Sequence, residues 1–233
     1  KVSLSDLDHI SSSAEGLQVK GAKMNMTFEG VGDDATVYGF GFLLREAVSV
    51  EFRNFAIMRC LDDAMSLDTK NSHVWIHNMD LFYGKKGGAA DQAKGDGTVD
   101  IKGDSKYVTV AYNRFWDNGK ASMCGMKSET GENWITYHHN WFDHSDSRMA
   151  RVRTMSVHMY NNYYQHCDVY GIGVTSGSSV FMESNYFDAV KRPIMSSLQG
   201  TDAKGDGTFS GEKGGLIKAY GNVFANKPDN FSY

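Results

Sequence analysis

The 233-residue chain, with 41% apolar, 22% charged and 12% aromatic residues, 25 Gly and 2 Pro, has a globular composition, neither disordered nor collagenous. Its length suits one domain or at most two small ones. A formal net charge of −4 argues against a nucleic-acid partner held by phosphate neutralisation, and no apolar run approaches the roughly 18 residues of a membrane span.

The charge is unevenly spread. Residues 1–110 hold 12 Lys+Arg against 16 Asp+Glu, and residues 111–233 hold 12 against 12, so the acidic excess lies in the first half. Cys60, Cys124 and Cys167 are an odd number without CxxC spacing. They are expected to be buried thiols rather than a zinc site or a disulfide framework. The start, Lys1-Val2-Ser3-Leu4, shows no basic and apolar leader, as expected of a chain without a signal or of a mature or trimmed one.

Along the chain a pattern recurs: alternating apolar residues, then Asn, any residue, and an aromatic. Weak copies begin at Met24, Val48 and Val74, the last two with Arg53 and Met79 at the asparagine position. Strong copies run Val108 to Phe115, Ile135 to Phe142, Val157 to Tyr164, Val180 to Phe187 and Ile217 to Phe224, carrying Asn113, Asn140, Asn162, Asn185 and Asn222. Successive starts are separated by 24, 26, 34, 27, 22, 23 and 37 residues. Each copy reads as a period-two strand too short to bury its own face, so copies must stack, as in a solenoid. The spacing is too long for hairpins, and the rarity of proline fits unbroken parallel ladders. The fold class expected is all-β: a parallel β-helix, with Asn side chains bonding coil to coil and the aromatics two residues later stacking inside.

The intervals 74 to 108 and 180 to 217 predict projecting loops, both holding Ala-Lys-Gly-Asp-Gly-Thr, at 93–98 and 203–208. Alone, the hexapeptide reads as a turn built twice. After the first copy comes Val99-Asp100-Ile101-Lys102-Gly103, and an earlier coil contains Asp62-Asp63-Ala64-Met65-Ser66-Leu67. Carboxylates on neighbouring coils can converge on an oxygen-rich site of the kind calcium prefers. Lys120, in Asn118 to Gly125, and Arg148, Arg151 and Arg153 are expected to face them across a groove.

Together with His73-Val74-Trp75-Ile76, Thr136 to Asn140 and Val157 to Asn162, these segments over residues 20 to 225 resemble the pectate lyases of polysaccharide lyase family 1. The resemblance implies a right-handed parallel β-helix, one domain over residues 1–233, in a segment or a chain without full terminal caps. It implies Ca2+ bound by Asp63, Asp96 and Asp100, with Asp62 a further candidate if the match shifts by one residue. Arg148 matches the catalytic base, and Lys120 and Arg153 match residues that hold substrate carboxylates. Two departures stand out: Trp75-Ile76-His77-Asn78 lacks the family's acidic residue after the strand, and Ala150 stands where the family has proline. The implied enzyme is a secreted, monomeric polysaccharide lyase acting on polygalacturonate (pectate), with no nucleic-acid or membrane partner.

Its reaction would be removal of the proton at C5 and β-elimination of O4, leaving a 4,5-unsaturated end. Arginine is ordinarily protonated, so a base at Arg148 relies on neighbouring cations to disfavour its charge and implies an alkaline optimum. The alternatives are a calcium-independent pectin lyase, for which the aspartates would have no use, and a non-catalytic polyuronate-binding β-helix. His138 and His139 are expected to be structural, one pointing inward and one outward. Arg151 is expected to brace its strand or a carboxylate, and Trp75, Trp116, Trp134 and Trp141 to fill core and stack positions.

Overall fold

The computed structural model describes residues 10–13, 16–20, 25–60, 62–83, 97–126, 129–130, 132–196, 214–229 and 231, the first two segments as backbone alone. Asp96, most of the first hexapeptide and all of the second lie outside the described residues. From Met26 the chain visits three sheets in fixed order, once per coil. The first sheet begins with Met26–Glu29 and holds the repeats read from the sequence, among them Ser72–His77, Lys106–Ala111, Ile135–His138 and Ser156–Tyr160. Short strands such as Arg114–Trp116 and Trp141–Asp143 form the second sheet. The third runs through Gly41–Arg45, Met65–Thr69, Val99–Ile101, Lys120–Cys124, Ser147–Val152, Ile172–Val174 and Ile194–Ser196. All pairings in these sheets are parallel except that of Ile10–Ser13 with Gly16–Lys20 at one end of the third sheet. The parallel β-helix is therefore the fold, and among the described residues there is no helix.

Alternation explains the core. Val74 and Ile76, Val108 and Val110, Ile135 and Tyr137, and Val157 and Met159 occupy successive inward rungs and are buried. Burying each such side chain is worth about 1.5–3 kcal/mol. Two-residue turns leave the first sheet, and their first residue is left-handed: Tyr112, His139, Asn161, Ser184 and Gly221 have φ of 56°, 53°, 54°, 53° and 63°. The second residue is the repeated asparagine. Asn113 Nδ2 donates to Asn140 Oδ1 at 3.1 Å, Asn140 to Asn162 at 3.0 Å, Asn162 to Asn185 at 3.0 Å and Asn185 to Asn222 at 2.9 Å. Two residues on, Phe115, Phe142, Tyr164, Phe187 and Phe224 stack inside at centroid separations of 4.8, 4.9, 4.4 and 5.2 Å. Ladder and stack are both as the sequence implies.

Three expectations are corrected. Val50 pairs with Val74 and Met26 with Val50, so the early repeats start at Met26 and Val50, not Met24 and Val48, and Phe55 rather than Arg53 stands at the asparagine position. Neither His138 nor His139 points inward. The left-handed φ of His139 breaks the alternation, and the two rings meet outside, with their Nδ1 atoms 3.0 Å apart. The tryptophans occupy outward phases: Trp75, Trp134 and Trp141 are exposed, and they stack there on His77, Tyr107 and Tyr163. Cys60, Cys124 and Cys167 are buried free thiols as expected; burial, above all, raises the Cys60 and Cys124 pKa values to about 12.

Candidate active site

The outward face of the third sheet carries the chemistry. Leu43, Ser66, Asp100, Met123 and Arg151 form one rung across it, with the inward neighbours Val99, Ile101, Ala121 and Cys124 in the core. Because each coil adds about 4.8 Å, Asp100 and Arg151 stand about 10 Å apart along this face. Asp63 lies just before the strand Met65–Thr69, Lys120 opens the strand Lys120–Cys124, and Arg148 is the second residue of Ser147–Val152. Asp63, Asp100, Lys120 and Arg148 are only 7%, 6%, 7% and 8% exposed, which marks them as built into the face rather than solvated upon it. With Arg153, Asp62, Lys102 and Arg151 they line a groove of about 590 Å³. Asp63 and Asp100 come from two successive coils, and Lys120 and then Arg148, Arg151 and Arg153 from the next two.

Local backbone features place the cations. The strand Ser147–Val152 is bulged: Ser122 pairs with Met149 but Met123 pairs with Arg151, leaving Ala150 as the extra residue. Strict alternation would send Arg148 and Arg151 to opposite faces. The bulge, with Arg148 at a left-handed φ of 60°, brings both guanidinium groups to the groove while Met149, Ala150 and Val152 stay fully buried. Alanine rather than proline thus occupies the bulge. Thr98 Oγ1 donates to the Lys120 carbonyl at 3.1 Å and Ser147 Oγ to that of Gly119 at 3.0 Å, tying three successive coils beneath the cations.

Three further residues shape the site. Among the described residues Arg151 makes no ion pair with a carboxylate: its buried Nε has no hydrogen-bond partner, and burial, then Arg148 and Arg153, hold its pKa below the ordinary arginine value. Glu129 accepts from the Gly103 and Met126 amides at 3.1 and 3.0 Å and from Thr154 Oγ1 at 2.6 Å, clamping the backbone next to Arg153. These bonds together outweigh burial and lower its pKa. Lys102 Nζ stands 3.2 Å from Asp63 Oδ2 and 3.8 Å from Asp100 Oδ2. Burial opposes its charge, yet Asp100 and Asp63 together raise its pKa. The period-two spacing of Asp100 and Lys102, the lysine just past the strand Val99–Ile101, was the available signal for that pairing.

The acidic pair has the ligand chemistry of a calcium site: two buried carboxylates, Asp63 and Asp100, from adjacent coils. Gly97 donates its amide to Asp63 Oδ1 at 3.0 Å, and a Cβ built on it would lie 2.5 Å from Asp63 Oδ1 and 2.6 Å from Asp100 Oδ1. Glycine here lets both carboxylates close in on the backbone, and any side chain would displace them. Among the described residues no group of three His, Cys, Asp or Glu side chains is placed to hold a metal.

Such a face, with a buried acidic pair and a run of clustered cations beyond it, defines a β-helix with a charged groove along one sheet. A sequence profile described as pectate lyase matches residues 12–223, and the chain belongs to the pectate lyase family. It is 31% identical over 202 residues to pectate lyase 3 of Pectobacterium carotovorum, covering 82% of this chain and 53% of that protein. With the pectate trisaccharide-lyase of Bacillus licheniformis it shares 29% identity over 190 residues, covering 80% of this chain and 54% of the relative. The crystal structure of a Bacillus sp. N165 pectate lyase in complex with trigalacturonate superposes with a TM-score of 0.72 at 26% identity, over 91% of this chain and 66% of that one. The chain spans about half the length of the curated relatives it matches.

Proposed function

We propose that this β-helix is the catalytic unit of a calcium-dependent pectate lyase that cleaves (1→4)-α-D-galacturonan by β-elimination into 4,5-unsaturated oligogalacturonides. One observation carries the reading: Asp63, Asp100, Lys120, Arg148 and Arg153 line a single groove, all but Arg153 nearly buried. Each sugar of the polymer brings a carboxylate, and removing the C5 proton pushes negative charge into it, so cations placed at that carboxylate stabilise the transition state. Arg153 would engage uronate oxygens with its planar fork and Lys120 as a point charge. Arg148, positioned by the bulge, takes the proton from C5. The C5–H pair becomes the C4=C5 double bond, the C4–O4 bond breaks, and O4 leaves with its pair to be protonated from solvent. Asp63 and Asp100, with Asp96, would hold calcium, which would supply Lewis-acid chemistry for the charge that develops on the uronate. The substrate, a wall polymer, implies secretion, and we assign the enzyme a monomeric state and one domain over residues 1–233.

The test is ultraviolet absorbance of the unsaturated product on polygalacturonate, with calcium and with chelator, for wild type and Arg148→Lys. Wild type is expected to be active with calcium and silent in chelator. Lysine cannot reproduce the guanidinium geometry, so Arg148→Lys is expected to lose at least about 100-fold in rate, the scale of a lost general base. Chelator-resistant wild-type activity would sink the calcium assignment, and a fully active Arg148→Lys would sink the base.

A further inference from the structure

The cation closest to the acidic pair belongs to the chain itself. Asp63 and Asp100 each divide their oxygens: Oδ1 lies against Gly97, and Oδ2 faces the Lys102 ammonium at 3.2 and 3.8 Å. The side chains of Asp63 and Asp100 are each 8% exposed and that of Lys102 is 16% exposed, so water screens this triad little. Two carboxylates so close repel each other, and the ammonium neutralises one of their two charges. A divalent ion held by these carboxylates would share them with the ammonium, and like charges at that range in a shielded site oppose each other. The backbone of Lys102 is fixed, its amide donating to the Leu67 carbonyl at 2.8 Å. Its four-carbon stem is flexible, so the head can leave without disturbing the coil. Arg45, which lines the same groove, is engaged instead by Asp68 at 2.7 Å.

We propose that Lys102 is a built-in counter-cation for the Asp63–Asp100 pair and that calcium binds by exchange with its ammonium. The ammonium keeps the two carboxylates together when calcium is scarce, and it sets calcium affinity below that of the bare pair. The inference rests on the reading of Asp63 and Asp100 as calcium ligands.

Isothermal titration of the full chain with calcium chloride tests both, using wild type, Lys102→Met, Arg45→Met and Asp63→Asn, with thermal unfolding in chelator and in calcium. Lys102→Met is expected to bind calcium about tenfold more tightly than wild type, because the competitor is gone. It should also melt lower than wild type in chelator and gain more from calcium, a pairing that a merely unfolded variant cannot give. Arg45→Met, which removes a cation not engaged with the pair, should change affinity less than threefold. Lys102→Met binding no more tightly than wild type, while Asp63→Asn still abolishes binding, would overturn the exchange and leave the calcium reading standing. Equal binding by wild type and Asp63→Asn would overturn both.

Discussion

Replacing Asn140 by alanine cuts the asparagine ladder at its middle, and the structure gives the size of the loss. The Asn140 Oδ1 accepts from the Asn113 amide and from Asn113 Nδ2, both at 3.1 Å, and its Nδ2 donates to the Val110 carbonyl at 2.9 Å and to Asn162 Oδ1 at 3.0 Å. Not all four partners are stranded. Asn113 Nδ2 keeps the Ile76 carbonyl at 2.9 Å, and Asn162 Oδ1 keeps the Asn140 amide at 3.0 Å. The Asn113 amide loses the partner described here and lies in a residue only 2% exposed, so it carries a desolvation penalty of about 1–3 kcal/mol. The other three bonds add about 0.5–1.5 kcal/mol each, giving a total of about 2.5–7.5 kcal/mol. That is a large share of the stability of an ordinary domain. Asn222, at the end of the ladder, is half-buried and bonds Asn185 and the Met182 carbonyl, so Asn222→Ala should cost less, about half. Urea unfolding followed by circular dichroism measures both. An Asn140→Ala variant within 1 kcal/mol of wild type, or no worse than Asn222→Ala, would refute the assignment of the ladder as a structural spine, taking about 1 kcal/mol as the worth of a single ordinary bond.

Two further substitutions test the site and the charge pairs of the outer face. Gly97→Ala puts a methyl group 2.5 and 2.6 Å from Asp63 Oδ1 and Asp100 Oδ1, so both carboxylates must shift, and it is expected to weaken calcium binding at least about tenfold by titration. Unchanged affinity would mean that calcium sits elsewhere. Burial raises the Asp143 pKa, but Arg114, at 2.6 Å, and His144 outweigh it and hold the carboxyl below its ordinary value. A depressed folded-state pKa contributes stability that is present above the unfolded value, near 4, and is lost as pH falls through the folded value. Asp143→Asn should therefore be less stable at neutral pH and lose stability less steeply than wild type below about pH 4. Parallel acid-unfolding curves would contradict this.

The ladder residues were legible because their chemistry repeats at one phase: Asn113, Asn140, Asn162, Asn185 and Asn222 need the same partner in every coil. Met24 and Val48 were misplaced for a physical reason. In Val48-Ser49-Val50-Glu51-Phe52 a period of two fixes the face of the sheet but not the rung, and a slip of two residues keeps the alternation intact. The register became visible only through the pairing of Val50 with Val74. At the site, Asp63, Asp100, Lys120, Arg148 and Arg153 were found through the family motifs, and the structure brings these five to one groove. Arg151 was placed at the groove by its run of arginines and Lys102 was not singled out, but what each does lies in what surrounds it. An extra residue at Ala150 rotates Arg151 into the groove, and a coil boundary brings Lys102 to Asp63, 39 positions away in the chain. Local patterning records neither the bulge nor that long-range contact.

The asparagine ladder works as a ruler. Its rungs join residues 27, 22, 23 and 37 positions apart, yet all four contacts fall between 2.9 and 3.1 Å. The length of chain spent on a coil is thus decoupled from the pitch of the stack. Extra residues can be spliced between strands, as between Ser196 and Leu216, while the next coil still lands on the same rung. A scaffold with this property can lengthen, trim or rewrite the loops around its groove one coil at a time while the spacing between Asp100 and Arg151 stays fixed by the pitch.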